Sequence, residues 1–220
     1  MESFIFGSTP QRLPILAHQF GTAANRGSAL VLGGVHGDEP EGVVAALGLV
    51  EQWLKDFPYR LKITAVPMFN PEGVLNKNRL NSNGVDLNRN LPTKDWSPEI
   101  ATPRYNPGPR AASEPENQAI MKFIEQTPPD FILSLHSWKP ILNTNGACED
   151  IAKAIAGVVG YEVSPTIGYS TPGCLGTYTG IERGIPTLTY EIERGLSFDR
   201  ILKEHLPAID AGLKVLEQRK

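Results

Sequence analysis

The chain has 220 residues, which is enough for one sizeable domain but too few for two comfortable hydrophobic cores. Its content of 40% hydrophobic and 20% charged residues is typical of a soluble globular protein. The formal net charge of −3, without any basic stripe, argues against nucleic acid as a partner, and no apolar run has the length of a membrane span. We therefore expect a single domain over residues 1–220 that binds neither nucleic acid nor a membrane.

The N-terminal stretch and the cysteines indicate the compartment. The first twenty residues contain no basic region followed by a long apolar one, so they do not resemble a signal peptide. Cys148 and Cys174 lie far apart in the sequence and are expected to be reduced thiols. Both features favour a cytoplasmic protein, whereas the sequence carries no signal for its oligomeric state.

Short apolar runs alternate with amphipathic stretches along the chain. The segment before residue 25 is expected to form an edge hairpin. Four further runs are predicted to be buried strands, at residues 29–35, 63–69, 131–136 and 186–192. Helices are predicted at about 40–56, after Ser113, at about 149–159 and at about 199–217. This alternation predicts an α/β fold with a largely parallel sheet covered by helices on both faces.

Two of these helices allow local expectations. In the first, Val43, Leu47 and Leu54 lie on one side and are expected to face the core. In the second, Ser113 and Glu116 form the S-x-x-E pattern of a capping box.

The segment from Asn70 to about Ala112 departs from the pattern, being rich in Asn, Pro, Gly and Arg and poor in apolar periodicity. A loop of this length within a small domain is usually disordered or functional. Because its polar motifs could grip a ligand, we expect it to be functional.

His36 and Glu39 follow the first of the four buried strands, in the stretch GGVHGDEPEGV. If a helix begins there, the two side chains fall on one face and can converge on one ion. His136 ends another apolar strand, in LSLHSW, and two histidines with one glutamate form a known catalytic zinc set. The alternative is an ordinary polar turn beside a surface histidine. His18 and His205 lack such settings and are interpreted as surface or edge residues.

The long loop and the last strand supply further candidates. Asn88 and Arg89, in DLNRNLP, could bind a carboxylate through the planar guanidinium fork, and Arg79 could neutralise an oxyanion. Glu191, in TLTYEIERG, is a carboxylate inside an apolar strand and a candidate general base that takes a proton from the attacking water. Glu193 fits a solvent-exposed position better. For any single arginine, the alternative is simple solvation.

Taken in order, these clusters resemble the zinc carboxypeptidase family, the carboxypeptidase A-like metallopeptidases. The resemblance spans roughly residues 30 to 195 and implies a mixed, about eight-stranded sheet between helices, one zinc ion per chain and hydrolysis of an amide bond next to a C-terminal residue. It assigns zinc binding to His36, Glu39 and His136, the terminal carboxylate to Asn88 and Arg89, the oxyanion to Arg79, and the base to Glu191.

Two departures from the digestive members of the family stand out. Gly37 and Asp38 fill the H-x-x-E motif where those enzymes carry an arginine, so Asp38 is a candidate for altered substrate choice. Those enzymes also use a tyrosine on a mobile loop before the base. Of Tyr169 and Tyr178, the nearer match is Tyr178, for which a packing role is the alternative.

The short chain, the GGVHGDE opening and TPGCLGTYTG are more similar to the bacterial murein peptide amidases of this family. That branch implies a small peptide or muropeptide substrate, cut at the γ-D-glutamyl–meso-diaminopimelate bond during cell-wall recycling. Two alternatives stay open: a deacylase of N-acyl amino acids, similar to succinylglutamate desuccinylase and aspartoacylase, and a catalytically silent peptide-binding protein.

Overall fold

The computed structural model describes residues 1–22, 27–100 and 102–219. At its centre is an eight-stranded sheet with the strand order β1-β2-β4-β3-β5-β8-β6-β7. Its strands are β1 Glu2–Ser8, β2 Pro14–Phe20, β3 Ser28–Leu32, β4 Lys62–Val66, β5 Phe131–Trp138, β6 Ile141–Asn145, β7 Glu162–Ser164 and β8 Thr187–Glu193. The central strands β4, β3, β5 and β8 run parallel, whereas β1–β2, β2–β4 and β6–β8 pair antiparallel. The expected mixed, largely parallel sheet and the N-terminal edge hairpin are confirmed.

Helices cover both faces of this sheet. They are α1 Pro40–Lys55, α2 Pro71–Asn76, α3 Pro115–Gln126, α4 Glu149–Val159, α5 Phe198–Arg200 and α6 Leu206–Gln218. Successive residues of β3 show how two cores arise, since Val31 packs towards α1, α4 and α6 while Leu30 packs towards α3. Among the described residues, no helix is both long and apolar enough to cross a membrane.

Two local expectations are corrected by the structure. Leu47 and Leu54 are 44% and 55% exposed, because α1 turns smaller residues such as Ala45 and Ala46 towards the sheet. The helix after Ser113 has Glu114 at its N-cap position without a side-chain cap, so the expected capping box does not form. Its buried Glu116 bonds to Asn81 instead.

The last predicted helix is continuous from Phe198 to Gln218 but contains a wide π-helical turn at Ile201–His205. This turn directly precedes Pro207, which lacks an amide hydrogen and crowds the preceding helical turn. The helix thus accommodates the proline by widening rather than by ending.

The long loop is compact and carries short helices that the sequence pattern did not predict. Besides α2, it forms one 3-10 turn at Leu87–Arg89 and another at Pro103–Tyr105. The first of these turns lies on the carboxyl edge of the parallel strands and brings the polar motif of the loop to the end of β3.

Candidate metal centre and substrate cavity

His36 and Glu39 reach the sheet edge through a tight turn between β3 and α1. The turn is fixed by backbone bonds, among them from the Phe69 amide to the Gly33 carbonyl at 2.9 Å. Gly37 is required here, since a Cβ at this position would lie 1.9 Å from the backbone of Gly73. Glu39 is the N-cap residue of α1, where the helix dipole favours a negative charge. Its Oε1 lies 3.0 Å from Nδ1 of His36.

His136 joins this pair from the neighbouring strand β5. Because β3 and β5 are parallel, the ends of both strands lie at the same edge. Nδ1 of His136 lies 2.9 Å from Oε2 of Glu39 and 3.1 Å from Nδ1 of His36. All three side chains are buried.

The chemistry of this donor set fits a zinc ion. The three ligand atoms lie within 4.8 Å of one another, and two ring nitrogens face each other beside a carboxylate. The outer Nε2 atoms are engaged elsewhere, that of His36 by Asp86 at 3.1 Å and that of His136 by Ser134 at 3.0 Å. Such outer partners hold the Nε2–H tautomer and direct the Nδ1 lone pair towards a metal.

Asp86 is a site residue that sequence reasoning missed. It is fully buried, and besides accepting from His36 it accepts from Nε of Arg79 at 2.9 Å. Burial alone would raise the pKa of Asp86, but the neighbouring His36 and Arg79 lower it below its usual range. Asp86 also caps the 3-10 turn through the amide of Asn88. An aspartate before such a turn is typical of a cap, and this explains why the sequence alone indicated no second role.

Arg79 lies against the same group. Its NH1 is 3.1 Å from Nδ1 of His36 and 3.2 Å from Oε1 of Glu39. The guanidinium carbon also lies 5.2 Å from the centre of the Tyr105 ring. Arg79 is therefore placed directly beside the candidate ligand group, at the wall of the cavity.

Asn88 and Arg89 line the adjoining cavity. Oδ1 of Asn88 accepts from the amide of Leu175 at 2.8 Å, which ties the 3-10 turn to the segment before β8. NH1 of Arg89 donates to the Asn88 carbonyl, and its guanidinium lies 5.2 Å from the Tyr105 ring centre. Within the described part of the chain no carboxylate forms an ion pair with Arg89, so its fork is available to a ligand carboxylate.

Glu191 lies on β8, directly opposite His136 in the parallel register. It is 8% exposed, and among the described residues its Oε2 is buried without a hydrogen-bond partner. Burial raises the pKa of Glu191 to about 7, and the Glu39 carboxylate adds to this shift while His136 opposes it. A buried, unpartnered carboxylate oxygen on a residue that lines a cavity beside a candidate ligand group is typical of a general base.

The cavity has a volume of about 310 Å³ and lies at the carboxyl edge of the sheet. The end of the cavity towards the start of β8, here called the inner end, carries uncharged polar groups, since Asn143 pairs with Thr189 and Asn145 with Thr187. The thiol of Cys174 also lines the cavity. Gly176 keeps the inner end open, since a Cβ there would lie 2.2 Å from Oδ1 of Asn145. Four arginines line the cavity as well: Arg79, Arg89, Arg104 and Arg194.

Comparison with known proteins identifies the family. The model of the zinc carboxypeptidase family matches residues 1–150. The chain belongs to the zinc carboxypeptidase family. It is therefore a hydrolytic enzyme of a zinc-dependent class.

Individual relatives agree with this assignment. The chain is 30% identical over 197 residues to murein peptide amidase A of Vibrio campbellii, which covers 84% of this chain and 77% of the relative. It is 32% identical over 167 residues to murein peptide amidase A of Escherichia coli, covering 71% of this chain and 67% of the relative.

Solved structures show the same fold. The crystal structure of murein-tripeptide amidase MpaA from Escherichia coli superimposes with a TM-score of 0.76 at 26% identity, covering 97% of this chain and 91% of that chain. Bovine thrombin-activatable fibrinolysis inhibitor gives a TM-score of 0.82 at 17% identity, covering 100% and 91%. The carboxypeptidase A-like fold is thereby confirmed.

The position of Tyr178 in this zinc carboxypeptidase differs from the sequence expectation. Tyr178 is buried in the core against Leu175, and the Arg183 guanidinium lies 3.5 Å from the centre of its ring. It does not reach the cavity, because the π-helical turn Gly176–Ile181 directs it towards α3. Tyr169 lines the cavity instead, with its ring against Trp138 at 5.7 Å. Position relative to Glu191 in the sequence favoured Tyr178, but the half-exposed Tyr169 is the one brought to the site.

Two other expectations concern histidines and an acid outside the site. His205 is 1% exposed, contrary to its interpretation as a surface residue, and its Nδ1 pairs with the Tyr190 hydroxyl at 2.6 Å. Burial lowers the pKa of His205 to about 4, so it packs as a neutral core residue. His18 is half-buried on β2 beside Ser3, and Glu193 is exposed as expected.

Proposed function

We propose that this protein hydrolyses the amide bond next to the C-terminal residue of a small peptide, and that its substrate is a murein peptide with a γ-D-glutamyl–meso-diaminopimelate bond. The observation that carries the proposal is the orphaned carboxylate oxygen of Glu191, buried in the cavity beside the His36–Glu39–His136 group. The names of the murein peptide amidase relatives support the choice of substrate.

In this proposal His36, Glu39 and His136 hold one zinc ion per chain. Zinc in such a set lowers the pKa of a water and polarises a carbonyl. The buried Asp86 and Ser134 keep the two imidazoles in the tautomer that zinc binding requires.

Side chains of the protein bind the substrate, transfer the proton and stabilise the oxyanion. Arg89, supported by Asn88, binds the terminal carboxylate of the substrate through charge-assisted hydrogen bonds. Glu191 takes a proton from the attacking water and delivers it to the leaving amine. Arg79, beside the ligands, donates to the oxygen that becomes negative when the carbonyl is attacked.

We further propose that residues 1–220 act as a single catalytic domain, in the cytoplasm, where they serve cell-wall recycling. The two buried cysteines, which form no disulfide, support a reducing compartment. Cell fractionation with an antibody to the native protein tests the location, and recovery outside the cytoplasmic fraction would contradict it.

The substrate is tested by incubating zinc-loaded protein with three compounds: L-Ala-γ-D-Glu-meso-diaminopimelate, an ordinary C-terminal dipeptide and an N-acyl amino acid. Mass spectrometry identifies the broken bond. We expect release of diaminopimelate from the tripeptide and slower turnover of the other two. Cleavage of ordinary dipeptides alone would overturn the murein assignment, and cleavage of the N-acyl amino acid alone would indicate a deacylase.

A further inference from the structure

The two outer arginines of the cavity meet on one carboxylate. NH2 of Arg104 lies 2.9 Å from Oδ2 of Asp38, and NH1 of Arg194 lies 3.5 Å from the same oxygen. Both arginines line the cavity, whereas Asp38 is not among its lining residues. A shared carboxylate therefore holds the two guanidinium groups beside each other at the cavity wall.

Arg194 is held by a second set of contacts. Its Nε and NH2 donate to the Ser137 carbonyl at 3.3 and 3.1 Å, and NH2 lies 3.4 Å from Oε1 of Glu39. About 40% of the Arg194 side chain and 48% of the Arg104 side chain remain exposed. Among the contacts of the described residues, Arg104 is bonded through NH2 alone, so its Nε and NH1 can reach a ligand. Arg194 is bonded through all three nitrogens and contributes mainly its charge from a fixed position.

The order of residues along β8 indicates on which side of the scissile bond these two arginines would lie. Thr189 lies at the inner end of the cavity, Glu191 follows, and Arg194 lies just beyond the strand. At about 3.3 Å per residue, Thr189 and Arg194 are on the order of 15 Å apart, with Glu191 between them.

The other carboxylate site belongs to the inner end. Asn88 is bonded to Leu175, which adjoins Cys174 and Gly176 of the inner wall. In the proposed function, a leaving residue held by Asn88 and Arg89 would extend towards the inner end, which leaves the pair Arg104–Arg194 for the acyl part of the substrate.

We propose that Arg104 and Arg194, buttressed by Asp38, form a second carboxylate-binding site that recognises an acidic group on the acyl-side residue next to the scissile bond. The inference rests on the proposed function and deepens it. It makes the enzyme selective for substrates with two carboxylates, one on each side of the bond. The acidic group is either the free α-carboxylate of a γ-linked glutamate or the side-chain carboxylate of an α-linked one.

The test measures binding separately from turnover. Zinc-loaded Glu191→Gln protein is titrated calorimetrically with the γ-linked tripeptide and with its isoglutamine analogue, in which that carboxylate is a carboxamide. Charge-assisted bonds to two guanidinium groups predict that the acid binds roughly 10- to 100-fold more tightly than the amide. The further changes Arg104→Gln and Arg104→Gln with Arg194→Gln should reduce this ratio stepwise towards one while binding of the amide is retained.

Matched controls make the result specific. Arg200→Gln removes an exposed, ion-paired arginine far from the cavity and should leave the ratio unchanged. Zinc content is measured for each variant because Arg194 contacts Glu39. Equal binding of acid and amide, or a ratio that survives loss of both arginines, would overturn the inference.

The α-linked isomer of the tripeptide identifies the source of the carboxylate, since it places the acid at the same chain spacing but with the amino group moved. A larger acid-to-amide ratio in either series supports the second site and assigns its ligand. Wild-type turnover is measured in parallel: if the peptides bind with the expected ratio but no bond breaks, the proposed function fails and the carboxylate site stands.

Discussion

Two clusters of buried acids contact the long loop, and they differ in the groups that bind their carboxylates. Around the candidate metal centre, Glu39 and Asp86 contact the Arg79 guanidinium and the His36 imidazole, and the pKa values of both carboxyl groups fall below the usual range despite burial. On the other side of the loop, a neutral amide holds the acids. Nδ2 of Asn81 donates to Glu114 at 2.8 Å and to Glu116 at 3.3 Å.

The consequence is a difference in charge. Burial raises the pKa of Glu116 to about 7, and the nearby acids Glu114 and Glu72 add to this shift. The first cluster therefore keeps its carboxylates ionised and available to a metal ion, whereas the second keeps a proton near neutrality and anchors the loop to α3.

Glu191 and Glu116 have one property in common: burial raises the pKa of each carboxyl group to about 7. Both oxygens of Glu116 accept from Asn81, but Oε2 of Glu191 has no partner among the described residues, and Glu191 lines the cavity. A raised pKa thus does not distinguish a base from a structural acid, whereas access to the cavity does.

The largest effect is expected from removing a metal ligand. His136→Ala leaves two of the three donors, so bound zinc and peptide hydrolysis should both fall to background. Elemental mass spectrometry measures the zinc bound per chain, and the initial rate measures hydrolysis. His18→Ala, on β2 away from the cavity, is the control and should keep both. Full zinc occupancy and turnover in His136→Ala would contradict the ligand assignment.

Next in size is the effect of the outer partner of His36. Asp86→Asn keeps the shape of the side chain but removes the negative charge that accepts from Nε2 of His36. The zinc affinity should therefore fall roughly 10- to 100-fold. Competition with a chelator of known affinity measures it. Asp95→Asn, an exposed acid of the same loop, serves as the control. Unchanged affinity in Asp86→Asn would leave Asp86 only its capping role.

Substrate binding should respond to Arg89→Gln. Loss of a charge-assisted contact predicts a KM raised roughly 10- to 100-fold for a peptide with a free C-terminus, with a smaller change in kcat. A peptide amidated at its C-terminus should not distinguish variant from wild type. Arg110→Gln, exposed in the same loop, provides the comparison. Equal sensitivity of both peptides would refute a carboxylate contact.

The smallest effect on activity is expected from the Glu114–Glu116 cluster, whose contribution should appear only in the stability of the fold. Between pH 4.5 and about 7 the folded chain retains the Glu116 proton that the unfolded chain releases, so the free energy of unfolding falls as pH rises. Glu116→Gln should reduce this fall by up to roughly 3 kcal/mol. Urea unfolding at pH 5 and pH 8 measures it, with the exposed Glu99→Gln as control. Identical pH dependence in wild type and Glu116→Gln would show that Glu116 is ionised in both states.

The site was predictable where strand ends carry its chemistry. His36, Glu39, His136 and Glu191 each follow or interrupt an apolar strand, and parallel strands present their carboxyl ends at the same edge of a sheet. The central strands and main helices were predictable as well, because each carries its own pattern of apolar residues.

Features set by side-chain packing were not predictable. Asp86 looks like an ordinary cap until the loop folds back onto His36, and Tyr178 is turned away from the cavity by a π-helical turn with no sequence signal. The capping box at Ser113 failed because Glu116 is drawn into the Asn81 cluster. In each case a contact with a distant segment overrides the local pattern.

In the proposed mechanism, Glu191 is the base beside a zinc ion held by His36, Glu39 and His136. The most direct measurement is the rate of tripeptide hydrolysis by Glu191→Gln protein at verified full zinc occupancy. We expect one zinc ion per chain and a rate reduced by roughly 10²- to 10⁴-fold, the usual contribution of general acid–base catalysis. Wild-type turnover by the fully zinc-loaded variant would contradict the account.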